Sequence, residues 1–479
     1  MKKEFHYLML KAGFSQQCIT PKPGLDIPGL FERRLAQGVC DDLFARSVVV
    51  DDGKCCVALV QTDAIFVPEC VVDNARRHIQ RACGILGLNC FIAATHTHSG
   101  GPIFGGFLSE ADPKYMDFVA RQIAKAVAGA YRSRKPVLCG AASCLAEGVA
   151  FNRRFHMKDG SVKTHPGKMN PDIVKPAGPE DPAVTVVGFC DPNTMRPRGA
   201  VVNFACHATH MNGCFYSADY VRWIVDTLKA VYGPDFGVVY LNGACGDVTQ
   251  MDNRSSRPGE FGPYWCERTG RVVGGAALQA LARMDYTAKV SVARKTVNIR
   301  ADIRTVSKQD CAAARALLAK KAITADDVET IYANELLEVA AMRPRMRSLE
   351  ITGVRLGEAL FWGVPGEFFQ QFALDVRAAS PFPFTCCIEL ANGYDGYICA
   401  PEAFNGGGYE IRTARSSFLT PATGPKITRA AKRLCAQMYA NAKKELLAAP
   451  KHRVWPTVSD TALDGINQLS RAMAKNGGG

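Results

Sequence analysis

Four of the nine histidines fall in two short segments whose spacing suits a metal site. The first is Cys90-Phe91-Ile92-Ala93-Ala94-Thr95-His96-Thr97-His98-Ser99-Gly100-Gly101. Side chains two apart on a strand share a face, so an apolar strand here ends by presenting two imidazoles together. The second is Asn203-Phe204-Ala205-Cys206-His207-Ala208-Thr209-His210, again at the end of an apolar run. Neutral imidazole is the commonest protein ligand for a catalytic metal. A single His-x-His fits a hydrogen-bonded structural pair as well as a metal site. Two such clusters at strand ends favour zinc, because open α/β sheets gather their sites there. A zinc enzyme adds a carboxylate or a third histidine and keeps one position for water. Spacing alone does not choose that residue among the 45 Asp and Glu.

The elements that must carry these clusters are legible as alternating patterns. Strand-like runs occur at 47–50, 57–61, 91–95, 184–190, 200–206 and 237–241. Apolar residues at three- and four-residue spacing predict helices over 68–86, 113–133 and 218–231. This alternation predicts an α/β fold with a mixed β-sheet core flanked by helices. The Gly-, Pro- and Lys-rich stretch 152–182 reads as a long loop over the active site. A helical block at 308–342 lies in an insertion of about 304–348, before strands at 349–356 and 359–364 and a turn at Pro365-Gly366. A helix follows over 426–447. No stretch repeats another and no linker stands out. The expected organisation is one catalytic domain over 1–450 and a polar tail over 451–479.

Composition narrows the function classes. The 479 residues are 47% hydrophobic and 22% charged, ordinary for a soluble globular chain. The net charge of +13 is scattered, and the densest patch, Arg343-Pro344-Arg345-Met346-Arg347, reads as a solvated element end. No nucleic-acid motif accompanies it, so nucleic acid is not an expected partner. No run approaches the ~18 apolar residues of a transmembrane segment, and the first residues lack the apolar core of a signal peptide. The 19 cysteines include no CxxC pair and lie mostly in apolar patterns, as reduced thiols do. A cytoplasmic location is expected.

With both histidine clusters in place, the chain resembles the catalytic domain of the neutral/alkaline ceramidase family, from its first residues to about Tyr409. Thr95-His96-Thr97-His98-Ser99-Gly100 resembles the THTHSG signature, and Asn203 to Asp219 the second histidine segment. Gly246-Asp247-Val248-Thr249 is similar to a GDVS motif, and Val364-Pro365-Gly366-Glu367-Phe368 to the VPGEF segment. Asn392-Gly393-Tyr394-Asp395-Gly396-Tyr397-Ile398 resembles the NxYxxY segment, with Tyr409-Glu410 following in order.

The resemblance implies zinc (Zn2+) held by His96, His207, Glu367 and Tyr397, with His98 not a ligand but a catalytic residue that either supports the ligands from behind or faces substrate. Phe151-Asn152-Arg153 resembles the family's NRS segment, which implies that Arg153 holds the developing oxyanion, and Tyr409 matches a tyrosine near the reacting carbonyl. Thr249 stands where the family has a reactive serine. Its methyl crowds the hydroxyl, so a positioning role is expected and zinc-activated water is the simpler nucleophile. His210 has no counterpart, and a core or rim position is its default. The family's C-terminal immunoglobulin-like domain and secretion signals have no match. The expected activity is zinc-dependent hydrolysis of a linear N-acyl amide, smaller or more soluble than membrane ceramide. A metallohydrolase of another amide, a cyclic amide or an ester, and a non-catalytic binding protein retaining the fold, are the alternatives.

Overall fold

The computed structural model describes residues 9–448, so readings of the first residues and of the tail 451–479 lie outside it. The expected mixed sheet is three larger mixed sheets, each built on four main strands from one of three successive segments of chain, the first widened by a fifth, two-residue edge strand at Lys135–Pro136. The first segment contributes β1 (Lys11–Cys18), β2 (Phe44–Asp51), β3 (Cys56–Thr62), helix α1 (Glu69–Cys83), β4 (Cys90–Ala94) and α2 (Pro113–Arg132). The second contributes β5 (Leu138–Leu145), β6 (Ala183–Cys190), β7 (Pro197–Phe204), α3 (Tyr220–Tyr232), β8 (Gly237–Asn242) and α4 (Pro263–Ala282). The third contributes β9 (Val292–Asp302), α5 (Lys308–Leu318), α6 (Val328–Ala341), β10 (Met346–Leu356) and β11 (Ala359–Gly363). It closes with α7 (Gln370–Ala379), β12 (Phe384–Ile388) and α8 (Thr423–Ala448).

Each segment follows one plan. Three strands form an antiparallel meander, a helix crosses over, and a fourth strand pairs parallel to the third. In each, the final helix packs beside the crossover helix. The fold therefore carries a threefold topological repeat that the sequence does not announce.

The apolar runs are continuous in the inner strands because both of their faces are buried. In β2, Val48 and Val50 point to a central core shared by all three sheets, while Ala45 and Val49 point to the helices of their own segment. In the third sheet Phe361 faces the centre, and Leu360 and Trp362 face the helices. The α4 helix was not legible, since Gly270, Gly274 and Gly275 read as breakers. A Cβ on Gly270 would collide with the Tyr220 carbonyl and Trp223, and one on Gly274 with Thr227, so these two glycines let α3 and α4 approach closely.

The plan decides where function can sit. In each segment the first and third strands run the same way and the fourth is parallel to the third. The first-to-second connection and the segments leaving the third and fourth strands thus emerge at one end. The second-to-third connections are short turns, 52–55, 191–196 and 357–358. The first-to-second connections are long, 19–43, 146–182 and 303–345, and the last holds α5 and α6. The expected long loop at 152–182 is itself partly ordered as three short antiparallel strands, Arg154–Met157, Val162–Thr164 and Ile173–Pro176. No helix among the described residues is long and apolar enough to cross a membrane.

Candidate metal centre and its pocket

The site lies where these long connections converge. His96 follows β4 and adopts φ +67°, a conformation that a non-glycine residue holds only when its surroundings enforce it. Its backbone N–H donates to the Ala64 carbonyl (3.0 Å) and its Nδ1 to the Ile65 carbonyl (2.7 Å), both just beyond β3. His98 Nδ1 donates to the Gly29 carbonyl (2.9 Å), and the buried Arg34 Nη2 holds the His98 carbonyl at 2.7 Å. His207, beyond β7, donates from Nδ1 to the Val248 carbonyl (3.0 Å). A carbonyl can only accept, so all three rings carry their proton on Nδ1 and turn Nε2 away from it.

Those Nε2 atoms meet a carboxylate. Glu367 follows β11 and the Pro365-Gly366 turn, and pairs through the backbone with Tyr397. Its Oε2 lies 3.3 Å from His96 Nε2 and 3.2 Å from His207 Nε2, while Oε1 accepts from the Tyr394 hydroxyl at 2.9 Å. His98 joins the group, since one ligand atom from each of His96, His98 and His207 lies within 4.8 Å of the others. His96 Nε2, His98 Nε2 and Glu367 Oε2 are buried without a hydrogen-bond partner. Lone pairs that close repel unless a cation stands between them. The donor set fits a divalent metal such as zinc.

The charge balance agrees. Burial opposes a charge on Glu367, but His96 and His207 hold its carboxyl well below the usual range. Burial likewise opposes a charge on His96, yet Glu367 raises that ring on balance. Burial and then Arg153 push His207 down to about 3, and burial with the neighbouring imidazoles holds His98 well below its usual value.

Arg153, 3% exposed, reaches the same group from the 146–182 connection. Its Nε pairs with Glu410 (3.0 Å), its Nη2 donates to the Gly246 carbonyl (2.7 Å) and to the Tyr397 hydroxyl (3.2 Å), and its Nη1 lies 3.1 Å from His207 Nε2. Its guanidinium sits 5.2 Å from the centre of the Tyr409 ring. The Thr249 hydroxyl donates to Gln250 Oε1 (2.7 Å), an atom that also accepts from Thr209 (2.8 Å). His96, His98, Arg153, His207, Thr249, Glu367, Tyr397 and Tyr409 all line one cavity of about 260 Å³. His165 of the 146–182 connection lines it as well.

His210 stands apart. It is fully buried between Asp219 (2.7 Å) and Thr269 (2.9 Å) and lines no part of that cavity. Asp219 also caps α3 through the Tyr220 N–H, so this histidine fastens the base of a helix.

Two participants escaped the reading of the sequence. Tyr394 holds Glu367 and stacks on Phe66 at 3.7 Å. Glu389, fully buried, accepts from the Cys245 N–H (2.9 Å), the Cys245 thiol (2.8 Å) and the Phe368 N–H (3.1 Å), tying the Glu367 segment to the one that leads to Thr249. Burial raises its carboxyl to about 7. A signal existed in the sequence: an acid directly after the apolar run Phe384–Ile388 stands at a strand end, as His96 nearly does.

No protein-family model and no curated protein sequence matches the chain. Solved structures do. The neutral ceramidase from Pseudomonas aeruginosa superposes with a TM-score of 0.70 at 18% identity, over 91% of this chain and 75% of that one. A ceramidase complexed with C2 gives 0.67 at 18% identity, over 94% and 78%. The chain has the fold of these ceramidases.

Proposed function

We propose that this chain is a zinc-dependent amide hydrolase of the neutral ceramidase family, acting on a linear N-acyl amine smaller or more soluble than membrane ceramide. The observation that carries the reading is the Glu367 oxygen held within 3.3 Å of two imidazole nitrogens, in a buried group that calls for a cation. The similarity of fold to ceramidases and the order of the sequence motifs support the same reading. His96, His207, Glu367 and Tyr397 would hold the metal, leaving His98 Nε2 free.

A bound zinc supplies an acidified water and an electrophile for the amide carbonyl. The residues of the chain do the rest. Arg153 is anchored by Glu410 and Gly246, so its Nη1, directed at His207 Nε2, is fixed beside the metal group and keeps a second N–H to hold an oxyanion without reorganising. Tyr409, beside the guanidinium, donates a second hydrogen bond to the same oxygen. His98, kept neutral by burial with its proton on Nδ1, has Nε2 free to take a proton from the attacking water and return it to the leaving amine. Thr249 keeps its proton on Gln250 and orders the wall instead of attacking. Phe66, Phe104 and Tyr394 give the cavity an apolar wall beside the metal group.

The test joins metal content to turnover. Protein purified without added metal should carry near-stoichiometric zinc by elemental analysis and hydrolyse short N-acyl amines, and a chelator should abolish both. Metal-free protein that still turns over, or zinc-loaded protein inert toward N-acyl amines of every chain length, would sink the reading.

A further inference from the structure

Three aromatic rings from separate parts of the chain line the cavity together. Phe31 comes from the 19–43 connection, Phe107 from the segment after β4, and Tyr332 from α6. Their rings meet edge to face, with centroids 5.4 Å apart for Phe31–Phe107, 5.7 Å for Phe31–Tyr332 and 6.4 Å for Phe107–Tyr332. Rings in such mutual contact pack as one unit along the cavity that all three line, and form a roof over that part of it.

The roof is pinned. Glu335, on the same helix as Tyr332 and fully buried, accepts from the Phe107 N–H at 3.0 Å and from Arg415 Nη2 at 2.6 Å. Arg415 Nη1 in turn holds the Gly105 carbonyl at 3.1 Å. Arg412 lies 3.6 Å over the Tyr332 ring and pairs with Glu329 at 2.8 Å. Phe107 is kept at φ +56°, a conformation that persists only where neighbours over-determine it. From the metal group to this roof runs an apolar wall: Tyr394 on Glu367, Phe66 stacked on Tyr394, and Phe104 against Phe66 at 4.8 Å.

We propose that the Phe31–Phe107–Tyr332 roof is the specificity-determining element that sets the maximum length of the substrate's apolar arm. The arm runs along the wall from the reacting carbonyl and stops at the rings. Each methylene laid on the wall strengthens binding about fourfold, the factor that follows from the usual transfer free energy. Beyond the roof, a further methylene must push aside a packed, pinned ring, which is unfavourable. The reaction at the arm's head rests on the hydrolase reading above; the length limit itself does not.

Binding and turnover separate the two. Acetate, hexanoate and hexadecanoate are titrated calorimetrically into the protein as purified, and kcat/KM is measured for the matching N-acyl amines. Affinity should climb to hexanoate and fall by roughly tenfold at hexadecanoate. In Phe107→Ala and in Phe31→Ala the optimum should move to the longer chain, with cooperative thermal unfolding retained. Either variant suffices if the other fails to fold. A rise continuing to hexadecanoate in the parent protein, an optimum unmoved in a folded variant, or no binding at any length overturns the proposal. A length limit in binding without amide turnover leaves the roof standing and removes the hydrolase reading.

Discussion

His98 and His210 are the outer members of two histidine pairs, each in a loop beyond a buried strand, and they have opposite fates. His98 has one ring nitrogen on the Gly29 carbonyl, and its Nε2 is left buried without a partner beside His96 and His207. His210 has both nitrogens satisfied, by Asp219 and Thr269. An imidazole whose two nitrogens are both bonded within the protein has no lone pair to give to a metal or a proton in flight. Residue type and placement after an apolar strand are alike in the two clusters, though the second pair is three residues apart and the first two; what the fold leaves unsatisfied separates a site from a staple.

The largest contrast should come from deleting one ring on each side of this divide. His207→Ala removes a nitrogen from the metal group and should leave neither stoichiometric zinc nor measurable turnover, by elemental analysis and a hydrolysis assay. His210→Ala should leave zinc per folded molecule intact while lowering stability by about 3 kcal/mol, because Asp219 loses a buried partner; denaturant unfolding reads this. If His210→Ala loses its zinc while remaining folded, the division between site and staple is wrong.

Glu389 sharpens the comparison, being buried like His210 yet placed beside the metal group. Its folded-state pKa of about 7 lies above the ordinary value of 4.5. The protonated form thus favours the folded state, and the stability it contributes is full below about pH 4.5 and is lost as pH rises through 7. Metal-depleted protein should lose on the order of 3 kcal/mol across that window, and Glu389→Gln should flatten the profile. An unchanged profile in the glutamine variant would place the titration elsewhere.

The smallest effect is expected at Thr249, whose hydroxyl is already engaged with Gln250. Thr249→Ala should lower kcat by roughly 10–100-fold, as loss of a supporting hydrogen bond does, and Thr249→Ser should be tolerated. Complete loss in the alanine variant, with an acyl-enzyme trapped on the parent protein, would make Thr249 the nucleophile.

Much of the fold was legible because its elements announce themselves by period. Helices α1, α2 and α3 and the strands around Val48, Leu59 and Ile92 follow from apolar spacing. Strand β9 was not, since Arg294, Lys295 and Arg300 give it a polar face; α4 was not, since its glycines serve a helix contact visible only in three dimensions. The threefold plan was hidden because topology repeats while sequence does not: the third strands end before Asp63, Ala205 and Val364, three unlike residues. Of the site, His96, His98 and His207 could be picked from spacing, while Glu367 and Tyr397 needed the family resemblance to single them out.

By itself the sequence determined the chemistry on offer: imidazoles at strand ends, a carboxylate after a proline-glycine turn, arginines next to aromatic residues. Those are local facts, fixed by which side chains follow which apolar runs. Only the tertiary structure decided which of them act together. Three sheets that turn their strand ends the same way bring residues from all three segments of the chain within 3–5 Å. The backbone carbonyls of Gly29, Ile65 and Val248 then choose which ring nitrogen remains free. That choice depends on contacts between residues 31–69 positions apart, which no local pattern encodes.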